Sequence, residues 1–183
     1  DAKADIETIT QEERQQQNVQ VSVGDEGITI RIRDRAAFDS GRSQLKEDFK
    51  SLLSRIGQVI NRMTNQVVIE GHTDNVPINT GQFSNNHWLS SARALTVLDY
   101  FADQVGIARG RMSAIGYGEY RPVDPEADQD DPAVRSQNRR VEIRILYNKQ
   151  AADEAPADSV RQLINEFGLG VSEPPQQPES EGR

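Results

Sequence analysis

Residues 67–78 read VVIEGHTDNVPI, an apolar run that passes directly into a polar cluster. The apolar part does not alternate with polar residues, which indicates a strand covered on both faces and therefore in the middle of a sheet. Thr73 and Asp74 follow this strand, and Pro77 ends regular structure soon after them. The stretch thus predicts a central strand whose carboxyl end carries polar side chains, the place where open sheets commonly bind ligands.

A hairpin is predicted ahead of this strand. The segments VQVSV (19–23) and ITIRI (28–32) alternate with period two on either side of the turn GDEG. Alternation of this kind places every second side chain on the same face of the sheet. The residues expected to face inward are Val19, Val21, Val23, Ile28, Ile30 and Ile32.

Two helices are predicted between the strands. The first follows a candidate cap at Ser43, and its apolar residues recur at helical spacing: Leu45, Phe49, Leu52, Ile56, Val59 and Met63. The second runs from about Trp88 to Val105, with an apolar face made of Trp88, Ala92, Leu95, Ala102 and Val105. Arg93 would flank that face, so we expect its side chain to reach the rim of the sheet near Asp74.

The remaining strands are RMSAIGYG (111–118) and VEIRILY (141–147), separated by a long acidic loop at 121–137. The predicted order is therefore ββαβαββ. This order indicates an α+β fold, a two-layer sandwich in which two main helices pack on a mixed β-sheet.

The chain divides into three parts by composition. Residues 1–18 are a polar, Gln-rich lead-in, and residues 19–149 form the folded domain. Residues 150–183 are rich in Pro, Glu and Gln, so we expect a largely disordered tail with one short helix near 158–167.

Charge and composition exclude several classes of function. The net charge of −8 and the pI near 4.8 argue against a nucleic-acid partner, because phosphate binding needs a surplus of Lys and Arg. The absence of cysteine excludes disulfides and thiolate metal sites. The chain opens on DAKADIETIT, without a signal pattern and without an apolar stretch of about 20 residues. We therefore expect a soluble piece of a longer protein.

Two chemical interpretations of the opening cluster remain open at this point. Asp74 and Arg93 at one rim would form either an ordinary ion pair or two opposite hooks for a zwitterion. Alternatively, His72, Asp74 and His87 are the ligand types of an iron-binding facial triad, which would indicate an enzyme. We favour a structural hydrogen bond for His72 and a solvent-facing His87, and we expect neither metal nor cofactor.

Four motifs carry a resemblance to a known family. They are GHTDNVPI (71–78), NHWLSSARA (86–94), GYGEYRPV (116–123) and NRRVEIRI (138–145). In this order they resemble the OmpA-like peptidoglycan-binding domain, and TDNVPI with the following Trp is most similar to the flagellar stator B subunits MotB and PomB. One departure is His87, which separates Asn86 from Trp88, whereas in many stator proteins the Trp follows the Asn directly.

The resemblance implies a role for each matching residue. Asp74 would hold the ammonium of diaminopimelate in the cell-wall stem peptide, and Arg93 would hold the neighbouring carboxylate. Thr73, Asn86 and Arg139 would line the same pocket. The implied function is a non-catalytic wall anchor in the periplasm, from an inner-membrane stator that pairs as a homodimer and works with a stator A subunit. Another wall tether of the same family, a lipoprotein or a secretion-system anchor, is the alternative.

Overall fold

The computed structural model describes residues 18–147 and the backbone of residues 171–172. Residues 1–17, most of the predicted lead-in, lie outside the described residues, as does the helix expected near 158–167. Within the described part, none of the helices combines the length and apolarity that crossing a membrane requires.

The strands form one mixed sheet. They are β1 Val19–Gly24, β2 Gly27–Arg33, β3 Val67–His72, β4 Met112–Gly118, β5 Arg140–Leu146 and β6 Val171–Ser172. Their order across the sheet is β4-β3-β5-β2-β1-β6. β3 runs parallel to β4 and antiparallel to β5. The apolar stretch that begins at Val67 is therefore an interior strand, as predicted.

The helices are α1 Asp34–Ala37, α2 Glu47–Asn61, α3 Asn86–Tyr100 and α4 Pro132–Asn138. α3 continues into a π-helical turn at Phe101–Val105. The two long helices, α2 and α3, fall where the sequence predicts them, and the predicted ββαβαββ order of the main elements and the α+β class are confirmed. α4 lies inside the segment predicted to be a continuous acidic loop, where Asp131 caps its first turn.

The predicted hairpin is confirmed in register. Val21 pairs with Ile30 and Val19 with Ile32, and these four side chains are buried. Val23 is half-buried and packs against the same core. Alternation was a reliable signal here because each strand turns only one face to the helices.

The first predicted helix is correct in most of its buried positions but not in its start. Phe49, Ile56 and Val59 are buried, and Leu53 is more deeply buried than the expected Leu52. The helix begins at Glu47 after Lys46, which makes no side-chain capping bond. The Ser43 cap is therefore wrong, because residues 43–46 are used in an extended segment where Leu45 bridges to Phe38.

The predicted apolar face of the second helix is wrong for Trp88 and Leu95, which are 64% and 50% exposed, whereas Val105 packs against the core. The buried residues of the helix include Leu89, Ser90, Arg93, Ala94, Val97 and Leu98. This face thus carries an apolar stripe of its own, with the small residue Ser90 where the helix meets Gly71.

Two glycines set the distance between α3 and the sheet. A Cβ on Gly71 would lie 2.0 Å from the carbonyl oxygen of Ser90, and a Cβ on Gly116 would lie 2.1 Å from the Oγ of Ser91. The backbone of α3 thus contacts β3 and β4 directly. Arg93, one turn further along α3, is thereby placed at the end of β3.

Candidate functional site

An open pocket of about 490 Å³ lies at the end of β3. All five residues that the sequence assigned to the site line it: Thr73, Asp74, Asn86, Arg93 and Arg139. The pocket forms where β2 and β3 end and β5 begins, because His72 pairs with Arg140, and Arg140 pairs with Arg33. Segments that are distant in sequence therefore supply its charged groups.

Asp74 is held by contacts on both of its carboxylate oxygens. Oδ1 accepts a hydrogen bond from the backbone N–H of Val76 at 3.0 Å, and Oδ2 accepts one from Nη1 of Arg139 at 2.6 Å. The residue is only 8% exposed. Its position follows from the chain turning sharply after β3.

Arg93 is buried, and its guanidinium contacts protein groups in three directions. Nε donates to the carbonyl of Arg42 at 2.8 Å, Nη1 to Oδ2 of Asp34 at 3.1 Å, and Nη2 to the carbonyl of Asp39 at 3.3 Å. The guanidinium also lies 5.1 Å from the ring centre of Phe38. The ordinary ion pair between Asp74 and Arg93 is therefore absent: each has a different partner, although both line one pocket.

Asp34 is the buried charged residue of the pocket that the sequence reasoning missed, and Arg35, Asp39 and Lys46 also line the pocket without having been predicted. Its side chain contacts Arg93, and its Oδ1 lies 3.7 Å from Nε of Arg139. Burial raises the pKa of the Asp34 carboxyl above its ordinary value, although Arg93 and Arg139 act in the opposite direction. The available signal was an acidic residue directly after the alternating strand ITIRIR.

Arg139 is more accessible than Arg93, with 38% of its side chain exposed. It precedes β5, and its carbonyl accepts a hydrogen bond from the backbone N–H of Asp34. Burial lowers the pKa of Arg93, whereas Asp34 counteracts that effect. Arg93 is thus the buried guanidinium of the site and Arg139 the open one.

Thr73 and Asn86 hold the loop between β3 and α3. Thr73 Oγ1 donates to the carbonyl of Asp74 at 2.9 Å. Asn86 Nδ2 donates to the carbonyl of Val76 at 3.0 Å and to Oε2 of Glu119 at 2.9 Å. Both side chains therefore shape the pocket wall that carries Asp74.

Four of the charged side chains that line the pocket alternate in sign, in the order Arg93, Asp34, Arg139, Asp74. These two acids and two arginines form a network with no net charge, in which each charge has an opposite neighbour. Three further charged residues line the pocket, namely Arg35, Asp39 and Lys46, and Lys46 pairs with Asp39. A ligand that itself carries one ammonium and one carboxylate preserves the balance of the four-residue network.

The alternative iron triad is not supported. Among the described residues, the group of His, Asp and Glu side chains close enough to share an ion is Glu70, His72 and Glu142, which excludes Asp74 and His87. His87 is exposed, as expected, and lies 5.2 Å from the ring of Tyr120.

His72 and its two glutamates lie on the sheet face opposite to α3. Arg144 donates to Glu70, and Arg31 and Arg140 both donate to Oε1 of Glu142. These guanidinium groups already neutralise the carboxylates that a cation would need. His72 Nε2 lies 3.5 Å from Glu70, and neither ring nitrogen makes a hydrogen bond to a described residue, so the hydrogen bond predicted for His72 is absent.

Comparison with known proteins shows to which family the chain is similar. The OmpA family model matches residues 37–139. Motility protein B of Bacillus subtilis is 34% identical over 146 residues, which cover 79% of this chain and 54% of that protein. The chain thus spans about half the length of this relative.

Two solved structures share the fold. The cell wall anchor of the T6SS from Pseudomonas aeruginosa superposes with a TM-score of 0.66 at 34% identity, covering 72% of this chain and 90% of that one. The periplasmic domain of Helicobacter pylori MotB gives a TM-score of 0.63 at 23% identity, covering 80% and 90%. At that identity the second likeness shows the fold alone. With the family model matching more than half of its length, the chain belongs to the OmpA family.

Proposed function

We propose that this domain is a non-catalytic cell-wall anchor that binds peptidoglycan through a diaminopimelate-containing stem peptide. The observation that carries the proposal is the pocket itself, in which Asp74, Arg93 and Arg139 converge within one neutral charge network. Diaminopimelate offers an ammonium and a carboxylate on one carbon. Asp74 would accept from the ammonium, and the two arginines would donate to the carboxylate.

Both charged hooks have to be reached by the ligand. Asp74 has one contact with the half-exposed Arg139, so an incoming ammonium can share or replace that contact. Arg93 is reached only through the pocket, because its side chain is 3% exposed. We therefore propose that the stem peptide inserts into the pocket the diaminopimelate carbon that carries both the ammonium and the carboxylate. The rest of the wall stays outside.

Calorimetry with two stem peptides tests this function. A lysine-type stem lacks the second carboxylate, so it should bind the domain markedly more weakly than a diaminopimelate-type stem of the same length. Equal affinities would remove the arginines from ligand recognition. No binding of either peptide, and none to purified sacculi, would contradict the anchor function as a whole.

We further propose that the anchor belongs to a flagellar motor stator B subunit, located in the periplasm and tethered to the inner membrane by a segment upstream of this chain. The support is the likeness to Motility protein B together with the TDNVPI motif. Binding to the wall would hold the stator still while ion flux through it and its stator A subunit partner exerts torque. A secretion-system anchor is the second candidate, favoured by the likeness to the T6SS protein.

Stator subunits of this kind would work in pairs, so the proposal includes a homodimer. Sedimentation equilibrium at rising concentration measures it, using the domain alone and the domain fused to a dimerising segment. A strict monomer in both forms would count against pairing.

The upstream sequence separates the stator from the secretion-system anchor, since one membrane helix with an Asp supports the stator.

A further inference from the structure

Asp34 is a buried pocket carboxylate to which the resemblance gives no role. It follows β2 directly, and its backbone N–H donates to the carbonyl of Arg139 at 3.0 Å, which ties the end of β2 to the beginning of β5. Only 8% of the residue is exposed. A buried acid at the junction of two strands is costly unless it is paired, and Asp34 has two arginines beside it.

We infer that Asp34 is a positioning residue that sets both guanidinium groups of the pocket and makes the site selective for a zwitterion. The identity of the ligand rests on the proposed function, whereas the contacts of Asp34 do not depend on it. One carboxylate contacts Arg93 through Oδ2 at 3.1 Å and approaches Arg139 through Oδ1 at 3.7 Å. It therefore holds two like charges close together at the same wall.

The hydrogen bonds of Arg93 show what this positioning achieves. A guanidinium has five N–H donors, and contacts within the described residues use three of them, on Arg42, Asp34 and Asp39. Acceptors on three nitrogens fix the plane of the group. These contacts leave two N–H donors of Arg93 over. A ligand carboxylate that binds in a bidentate pair accepts two hydrogen bonds, which matches this number.

Selectivity follows from the charge that Asp34 contributes. Asp34 and Asp74 together balance Arg93 and Arg139, so a ligand with both charges adds no net charge to the pocket. If Asp34 lost its charge, this network of four residues would become cationic. A ligand carboxylate would then be attracted more strongly, while a ligand ammonium would be repelled.

The variant Asp34→Asn tests the inference because it keeps the size of the side chain and removes the charge. The matched control is Asp25→Asn, which makes the same change in the exposed turn at the opposite end of β2. The ligands are a diaminopimelate stem peptide and the same peptide with the side-chain amine acetylated. Calorimetry gives the affinity of each ligand for each protein.

We expect Asp34→Asn to bind the free-amine peptide about tenfold more weakly, while the acetylated peptide binds as well as before or better. The ratio of the two affinities should not change in Asp25→Asn. If Asp34 only stabilised the fold, Asp34→Asn would lower the affinity for both peptides by the same factor, and that result would overturn the inference. If Asp34→Asn does not fold, Asp34→Glu keeps the charge and should keep the ratio while lowering both affinities.

A second measurement needs no ligand. Exchange of the Arg93 guanidinium protons with water, followed by NMR, should be faster in Asp34→Asn than in the wild type and unaltered in Asp25→Asn. Unchanged exchange in Asp34→Asn would overturn the positioning role. If the wild type binds neither peptide, the proposed function fails, but this exchange measurement still decides whether Asp34 positions Arg93.

Discussion

Arg93 and Asp74 differ in their contacts with the rest of the protein, although we propose that both bind the ligand. Arg93 contacts a buried carboxylate and two backbone carbonyls. Asp74 has one backbone donor and one half-exposed arginine. Substitutions at the two positions should therefore have different consequences for stability.

We predict that Asp74→Asn abolishes wall binding with little effect on folding. The ligand ammonium loses its charged partner, a loss of about 2–5 kcal/mol in binding. The amide oxygen can still accept from Val76, and the lost contact with the half-exposed Arg139 contributes about 0–1 kcal/mol. Calorimetry and a thermal melt measure the two effects; a large fall in melting temperature would contradict the prediction.

Arg93→Ala should both abolish binding and destabilise the fold by about 3–5 kcal/mol, because it removes the closer arginine partner of the buried Asp34 and leaves only Arg139 at 3.7 Å. Denaturant unfolding measures the loss. Arg135→Ala is the control, since that arginine pairs with the exposed Asp130 at the surface. If Arg93→Ala were as stable as the control, Asp34 would have to find another partner, and the charge network described here would be wrong.

Helix α3 acts as the element that connects the sheet to the pocket. It packs on glycine in β3 and β4, and the same helix carries Asn86 and Arg93 into the site. Its most apolar exposed residues, Trp88 and Leu95, take no part in that packing. The position of Arg93 thus depends on close backbone contact with the sheet as well as on the buried apolar residues Ala94, Val97 and Leu98.

Gly71→Ala should therefore disturb the site from a distance. The new Cβ would lie 2.0 Å from the carbonyl oxygen of Ser90, so α3 must move, and overpacking of this kind costs about 1–3 kcal/mol. We expect lower stability together with weaker stem-peptide binding, because Arg93 moves with the helix. Gly81→Ala is the control, since nothing lies within 4 Å of a Cβ there. Unchanged binding in Gly71→Ala would separate the helix position from the site.

For the whole molecule, the network of His72, Glu70 and Glu142 on the sheet face opposite to α3 links the free energy of unfolding to pH. Burial lowers the pKa of His72 below its ordinary value of 6.5; nearby Arg140 acts in the same direction, while Glu70 and Glu142 oppose it. Burial would raise the pKa of both glutamates, but the proximity of His72 and the hydrogen bonds and charges of the arginines hold them below their ordinary value of 4.5. The two residue types therefore act in different pH ranges.

We predict that the free energy of unfolding falls as the pH drops from about 6.5 toward 5, because the unfolded state binds a proton at His72 that the folded state resists. Urea unfolding at a series of pH values measures this slope. His72→Gln should flatten the slope, whereas His87→Gln, at an exposed histidine, should leave it unchanged. A slope that survives in His72→Gln would assign the effect to other groups.

Below pH 4.5 a second loss of stability should follow, when Glu70 and Glu142 become protonated in the folded protein and their contribution disappears. This contribution is fully present above their ordinary pKa and is lost as the pH falls through the lowered one. The same urea series measures it, and His72→Gln should retain this second loss as long as the arginines remain in place.

The sequence by itself determined the elements and most of the candidate site. Alternation at 19–32 and the unbroken apolar run at 67–69 are local signals, and both segments form strands as predicted. The family resemblance, rather than a local pattern, assigned Arg139 to the site beside Asp74 and Arg93, and all three line the pocket. Local patterns suffice for the elements because the period of the apolar residues shows which face a strand or helix buries.

Tertiary structure alone decided which residues pair with one another. Asp34 and Arg93 are 59 positions apart, and Asp74 and Arg139 are 65 apart, so no spacing rule connects them. The close approach of α3 to the sheet was likewise decided by glycines on two other strands, where a Cβ would collide with Ser90 or Ser91. Packing between distant segments follows from shape and charge in three dimensions, and for that reason the partner of Arg93 was found only in the folded protein.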